Sequence, residues 1–311
     1  MTEKHKMTFE QGMEKFIIEK RGNGLSEKTI NGYCDGWKFL KIFLDSNNIT
    51  SFDDISEDTI IKYKYYLRMK PSIIDRTANT YVKNIRTVLY YFMDKGIMKN
   101  QFKIKLPEYV EKVPEVYDKE SLEILLKKPK TNKFTDYRNW VITCFLLDTT
   151  VRCRTLLGIR VGDIDFNVNR IRIMDIKNKK QQFISMSKYL AKIMTDYLMQ
   201  RKATSKGDYV FCTKYGEQMT YGALRSATDR YNKKLGVNIT GRHKYRHTGA
   251  SLLVENGCPL SDIQDQMGHS SPELTKKYVN IFSINRIEPY NQYSPLGDFK
   301  GTKDRKVIRM D

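Results

Sequence analysis

At 311 residues the chain is long enough for two domains, each with a core of its own. Lys and Arg number 55 against 36 Asp and Glu, a formal charge of +19, which favours a polyanionic partner such as DNA or RNA over a membrane surface. No apolar run approaches the ~20 residues of a spanning helix, residues 1 to 6 lack the apolar stretch of a signal peptide, and the five cysteines are scattered without a C-x-x-C pair, so reduced thiols and a cytoplasmic setting are expected, with no membrane, disulfide or zinc site.

Thr8 followed three residues on by Gln11 predicts a helix start. Met13, Phe16 and Ile17 give that helix its apolar face, and Gly22 and Gly24 end it. Ser26 caps a second helix, with Ile30, Tyr33, Trp37, Leu40 and Leu44 on one side. Ser56 opens a third that runs through Leu67 to Pro71. A fourth spans Thr77 to Lys95, with Tyr81, Ile85, Leu89 and Phe92 on one face and Gly96 as the stop. Four such helices make a small all-helical domain over residues 1–106. The aromatic runs at 63 to 66 and 90 to 92 are expected to pack rather than to stack on bases. Residues 1 to 110 hold 19 basic against 14 acidic side chains and the rest hold 36 against 22, so both parts can approach a nucleic acid.

Residues 107–117, bounded by Pro107 and Pro114, read as a linker, and residues 118–281 as a second domain. Asp118 caps a short helix through Leu126, and Thr135 or Asp136 opens an apolar one containing Trp140, Val141, Phe145 and Leu146. Residues 170 to 176 alternate as a strand and 181 to 186 as its partner, joined by the basic turn Lys177-Asn178-Lys179-Lys180. A helix near 187 to 203, a Tyr-Val-Phe segment at 209 to 211 and a helix capped by Thr220 follow. A further helix carries His243 and Arg246 and stops at Gly257. The expected fold is mainly α with a small antiparallel β-sheet. Residues 282–311 form a C-terminal tail with a basic end.

Three of the four histidines, His243, His247 and His269, fall between residues 241 and 278. His243 and Arg246 are spaced H-x-x-R, which puts both on one helix face. An imidazole beside a guanidinium suits a phosphate: Arg grips anionic oxygens by paired hydrogen bonds, and His donates, accepts or moves a proton. Tyr278, nine residues after His269, offers a phenol that can attack phosphorus. An isolated H-x-x-R is common on solvated helix faces and an isolated Tyr usually packs, so the pattern as a whole carries the signal.

That pattern is His243-Lys-Tyr-Arg246-His247-Thr248, then Met267-Gly-His269-Ser270, then Tyr278. It resembles the C-terminal signature of the tyrosine recombinases, the phage integrase family. The segment from Asp148 to Phe166 resembles the family's first arginine motif, with Arg152 as the motif arginine and Leu156, Ile159, Asp163 and Ile164 in register. It departs at Thr150, where Gly is usual, and at Thr155, where an acidic residue is usual. The turn starting at Lys177 resembles the family's lysine turn, with Lys179 and Lys180 as alternative lysines.

The resemblance implies an N-terminal helical core-binding domain, a C-terminal tyrosine-recombinase catalytic domain, and a tail that docks on a neighbouring protomer. It implies a catalytic set of Arg152, Lys177, His243, Arg246, His269 and the nucleophile Tyr278, with no cofactor and no metal. In that set the arginines neutralise the phosphate, Lys177 protonates the leaving 5′-oxygen, His243 is base or hydrogen-bond partner, and His269 hydrogen-bonds the phosphate. His247 reads as structural. The implied activity is site-specific cleavage and rejoining of DNA through a 3′-phosphotyrosine, serving integration, excision or resolution of a mobile element or replicon. The implied partners are double-stranded DNA with inverted-repeat core sites and further copies of the chain, a dimer per site and a tetramer in synapsis, with an accessory DNA-bending or excision factor. The setting is a cytoplasmic, nucleoid-associated protein of bacterial or phage origin. A type IB topoisomerase-like enzyme and an inactive DNA-binding regulator of the same fold are the alternatives.

Overall fold

Several helix starts in this chain are written locally, as side-chain caps. Thr8 Oγ1 accepts from Gln11 N while Gln11 Oε1 accepts from Thr8 N, a reciprocal box that opens α1 (Phe9–Gly22). Ser26 and Ser56 likewise accept from Thr29 N and Thr59 N to open α2 (Glu27–Ser46) and α3 (Glu57–Arg68). The computed structural model describes residues 7–108, 114–175, 180–237 and 241–268, with Ser271, Glu273, Thr275 and Tyr278. Lys177, His269 and the tail at 282–311 lie outside the described residues. The chain divides into two units, Met1–Lys112 and Val113–Asp311.

The first unit is helical. α4 (Asp75–Asp94) starts two residues before the sequence expectation and packs along α2. Its stop is a left-handed Gly96, at φ 65°, after which Ile97 N bonds Phe92 O. The core is aromatic: Phe9, Phe52 and Phe92 meet edge to face, with Phe52 and Phe92 ring centroids 4.7 Å apart. Tyr63, Tyr91 and Phe92 are buried, as expected of the two aromatic runs, whereas Tyr65 is exposed.

The second unit is built around α6 (Phe134–Thr149), whose residues are buried almost all round. α5 (Lys119–Leu126), α8 (Lys188–Arg201), α9 (Tyr221–Lys234) and α10 (Arg242–Glu255) all pack on it. A short α7 (Cys153–Leu156) follows the end of α6. The antiparallel sheet runs β1 (Ile164–Asp165), β2 (Arg170–Asp175), β3 (Lys180–Ser185) in that spatial order, with Ile171 opposite Ile184 and Ile173 opposite Gln182. Ile171, Ile173 and Ile184 point inward, while Phe183 faces out. β1 is two residues long, too short for a period-2 pattern to announce it. α11 (Leu260–Met267) follows α10 and packs on both α10 and β3. Among the described residues no helix is long and apolar enough to cross a membrane.

Candidate active site

The site assembles where α10 crosses the end of α6. Gly249 permits the approach: a Cβ there would lie 2.2 Å from Leu147 O, so any side chain would push the helices apart. At that crossing the chain leaves α6 through Thr150, which adopts φ 53° and ψ 17°. This left-handed turn is costly for a β-branched residue, and it stands where the recombinase pattern carries Gly. The turn directs the Thr150 carbonyl at Arg246, whose Nη1 donates to it at 2.6 Å. Arg246 Nη2 donates to Met267 O at 2.9 Å, so one buried guanidinium joins the ends of α6 and α11. Two residues past Thr150, Arg152 shares a small cleft with Arg246, Thr155, Gln182 and Gln266.

Tyr278 is 1% exposed, packed against Ala250, Ile263 and Met267. Its hydroxyl lies 2.9 Å from His247 Nδ1 and is also hydrogen-bonded by Arg246. Burial pushes the phenol up in pKa, while Arg246, by charge and hydrogen bond, and Arg152, by charge, pull it down. His243 sits exposed at the start of α10, its ring centroid 6.4 Å from that of His247. Arg152, Arg246 and Tyr278 are thus brought together, with His243 one helical turn away along α10.

The other face of α10 is fixed by the start of the second unit. Lys244 Nζ reaches Glu115 at 3.2 Å, Thr248 Oγ1 accepts from Tyr117 N at 2.9 Å, and Tyr245 OH donates to Asn232 Oδ1 at 2.7 Å. Asn232 closes the loop by donating to the Tyr117 hydroxyl at 3.0 Å. Residues 244, 245 and 248 therefore hold the helix, while 246 and 247 meet Tyr278.

Two glutamines that carry no signal in the sequence tie β3 to α11. Gln266 Nε2 donates to Ser185 O at 2.7 Å and Gln266 Oε1 accepts from Ser185 N at 3.0 Å. Gln182 Nε2 donates to Asp265 O, and its Oε1 lies 2.6 Å from where a Cβ on Gly268 would stand. Gly268 ends α11 at φ 62°, immediately before His269. Polar but uncharged, these glutamines line the cleft beside Thr155, where the recombinase pattern has a carboxylate. Sequence reasoning also misses the contact of His247 with Tyr278, which lies 31 residues on. Among the described residues no group of three His, Cys, Asp or Glu side chains is gathered to hold a metal ion.

Comparison with known proteins places the chain in a family. The phage integrase family matches residues 115–283, and the phage integrase SAM-like domain matches residues 8–106. The tyrosine recombinase XerD of Staphylococcus haemolyticus is 27% identical over 294 residues, covering 90% of this chain and 96% of that protein. Among solved structures, the XerH site-specific recombinase bound to palindromic difH substrate in a post-cleavage complex superposes with a TM-score of 0.70 at 19% identity, covering 90% of this chain and 84% of the other. The Tn1549 transposon integrase in complex with transposon right end DNA gives a TM-score of 0.69 at 19% identity, covering 88% of this chain and 94% of the other. The chain belongs to the phage integrase family, the tyrosine recombinases, and is a site-specific recombinase. The topoisomerase-like and inactive-regulator alternatives are not favoured by these relatives.

Proposed function

We propose that this recombinase cuts and rejoins duplex DNA through a covalent 3′-phosphotyrosine on Tyr278. The observation that carries the reading is the Tyr278 hydroxyl held by Arg246 of the H-x-x-R helix, within the field of Arg152. A phosphodiester resists attack because it is already anionic. Arg152 and Arg246 offset that charge, and their effect grows as charge builds on the pentavalent phosphorus. The resemblance offers His243 as base or hydrogen-bond partner, and His269 hydrogen-bonds a phosphate oxygen. Lys177 protonates the departing 5′-oxygen, with Lys179 and Lys180 as its alternatives. The phosphotyrosine conserves the energy of the broken ester, so a 5′-hydroxyl from another strand can displace Tyr278 and reseal the backbone.

The charge of +19 suits a DNA partner. XerH, of similar fold, is bound to a palindromic substrate. A palindrome presents one half-site twice, which suits two copies of a protein related by two-fold symmetry. Exchange between two duplexes requires four cleavages and hence four Tyr278 side chains, a tetramer in synapsis. The helical N-terminal domain, residues 1–106, grips the core site, residues 107–117 link it to the catalytic domain at 118–281, and the tail at 282–311 docks on a neighbouring protomer. An accessory bending or excision factor selects the direction.

A nicked suicide substrate tests the nucleophile. It traps the wild-type protein as a covalent adduct on a denaturing gel, while Tyr278→Phe still binds the half-site and forms none. An adduct with the Phe variant would assign the nucleophile elsewhere.

A further inference from the structure

We propose that His247 is the proton acceptor for the Tyr278 hydroxyl, with Nδ1 as the accepting atom. The proposal rests on Tyr278 as the nucleophile and extends it to a residue that the recombinase signature leaves without a chemical part. The contact is direct, at 2.9 Å, with the two rings 5.7 Å apart between centroids. Arg246 has only hydrogens to offer and donates to the same phenolic oxygen. That oxygen carries one proton of its own. With a lone pair occupied by the guanidinium, the phenol's proton is free to point at the imidazole. Nδ1 then accepts, and the ring carries its hydrogen on Nε2.

The surroundings suit this transfer. His247 is half-buried on α10, immediately after Arg246. Among the described residues, the charged or titratable groups around the pair include Arg246 and Arg152, which favour the phenolate; His243, 6.4 Å from His247 between ring centroids; and Cys258, in the apolar cluster that encloses Tyr278. His247 is the imidazole whose contact with the reacting oxygen is seen directly. In the forward step the phenolic oxygen bonds to phosphorus, its proton passes to Nδ1, the P–O5′ bond breaks, and the 5′-oxygen takes a proton from Lys177. In rejoining, the incoming 5′-hydroxyl gives its proton to Lys177 and the imidazolium returns a proton to the departing phenolate. No oxidant, reductant or further reactant is needed.

His247→Asn separates holding from proton transfer. The Asn Oδ1 stands near the position of Nδ1 and keeps a hydrogen bond to the phenol, but it takes no proton. Single-turnover cleavage of the suicide substrate is followed from pH 5 to 9. The wild-type rate is expected to fall on the acid side, as Nδ1 becomes protonated. The Asn variant should bind the half-site normally, cleave about 10² to 10⁴ times more slowly and lose that acid limb, the range for removing a general base. A ring-fluorinated tyrosine at position 278, with a more acidic phenol, should restore much of the lost rate. A 5′-thio leaving group, which relieves the need for Lys177, should not. His243→Asn, which leaves His247 in place, should retain the acid limb.

A wild-type rate and profile in His247→Asn would overturn the proposal, as would a slow variant that keeps its acid limb. Should His247→Asn bind DNA poorly, the fluorotyrosine is placed in the wild-type protein instead: an unchanged acid limb with a faster plateau supports His247, and a limb that moves with the phenol overturns it. Covalent trapping by Tyr278→Phe would instead sink the nucleophile, whatever His247 does.

Discussion

The two units solve opposite packing problems. In the first, helices α1 to α4 turn apolar faces inward onto a core of Phe9, Trp37, Phe52 and Phe92, and polar groups largely stay outside. In the second, polar side chains lie inside: Arg138, Asn139, Asn232, Arg246 and Thr248 are all buried. Partners far along the chain satisfy them. Arg138 Nη1 donates to Cys212 O at 2.7 Å, and Arg246 bridges Thr150 O and Met267 O. The first unit is therefore stabilised mainly by area removed from water, which is non-directional. The second depends in addition on directed bonds that are costly to leave unmade. Charges that act on a reacting group must be fixed to fractions of an ångström.

A matched pair of substitutions tests that contrast most severely. Phe92→Ala should cost about 3–5 kcal/mol by urea denaturation, the lost transfer energy plus a cavity. Arg246→Met, of similar length and without charge, should cost about 1–3 kcal/mol, because two buried carbonyls lose their donor. The order reverses for chemistry. Arg246→Met should slow single-turnover cleavage by at least about 10² to 10³ on DNA-saturated protein, the range for losing one preorganised donor, whereas Phe92→Ala should leave that step near wild type at temperatures where it is folded. Equal loss of cleavage in both would erase the distinction between the units.

A smaller effect is expected between β3 and α11. Gln266→Ala removes bonds to Ser185 N, Ser185 O and Thr149 O. Stability should fall by about 1–2 kcal/mol, the net value of partly exposed hydrogen bonds. β3 begins at Lys180, three residues after Lys177, so if Lys177 supplies the proton as proposed, loosening the strand should slow cleavage about ten- to a hundred-fold. A 5′-thio substrate should recover that loss, since it needs little protonation. Failure to recover would limit Gln266 to stability.

The same contrast explains what can be read from the sequence. Helix starts at Thr8, Ser26, Ser56, Asp118 and Thr220 are legible because a cap bonds a backbone only three residues away. Strands β2 and β3 are legible from alternation. Arg152, Arg246 and Tyr278 can be named through spacing and resemblance, but their meeting cannot. Arg246 reaches back 96 residues to Thr150, and Tyr278 lies 31 residues beyond His247. Taken alone, His247 looks structural, since helical spacing says which face a residue shares and not what another segment brings against it. Gln182 and Gln266 give no cue at all, because a clip between a strand and a helix has no period.

Thr150 gives the finest test, and the smallest expected change. Its left-handed backbone costs a side chain with a Cβ about 1–2 kcal/mol. Its hydroxyl is buried with no hydrogen-bond partner among the described residues. Both features favour Gly at this position. Two effects oppose it. The Thr150 methyl packs where α10 meets α6, close to Gly249, and losing its contacts costs about 0.8 kcal/mol for a group of that size. Gly also frees the unfolded chain, worth about 0.4–1 kcal/mol. Thr150→Gly should therefore change stability by less than about 1 kcal/mol in either direction, and cleavage should stay near wild type because Gly keeps the carbonyl aimed at Arg246. Thr150→Val retains the strained backbone and the packing but removes the orphaned hydroxyl, so it should stabilise by about 1 kcal/mol. If Gly stabilised strongly while Val did not, backbone strain would outweigh the buried hydroxyl at this junction. If Val alone stabilised, the hydroxyl would outweigh the strain, and the left-handed turn would cost this protein little for the carbonyl it presents to Arg246.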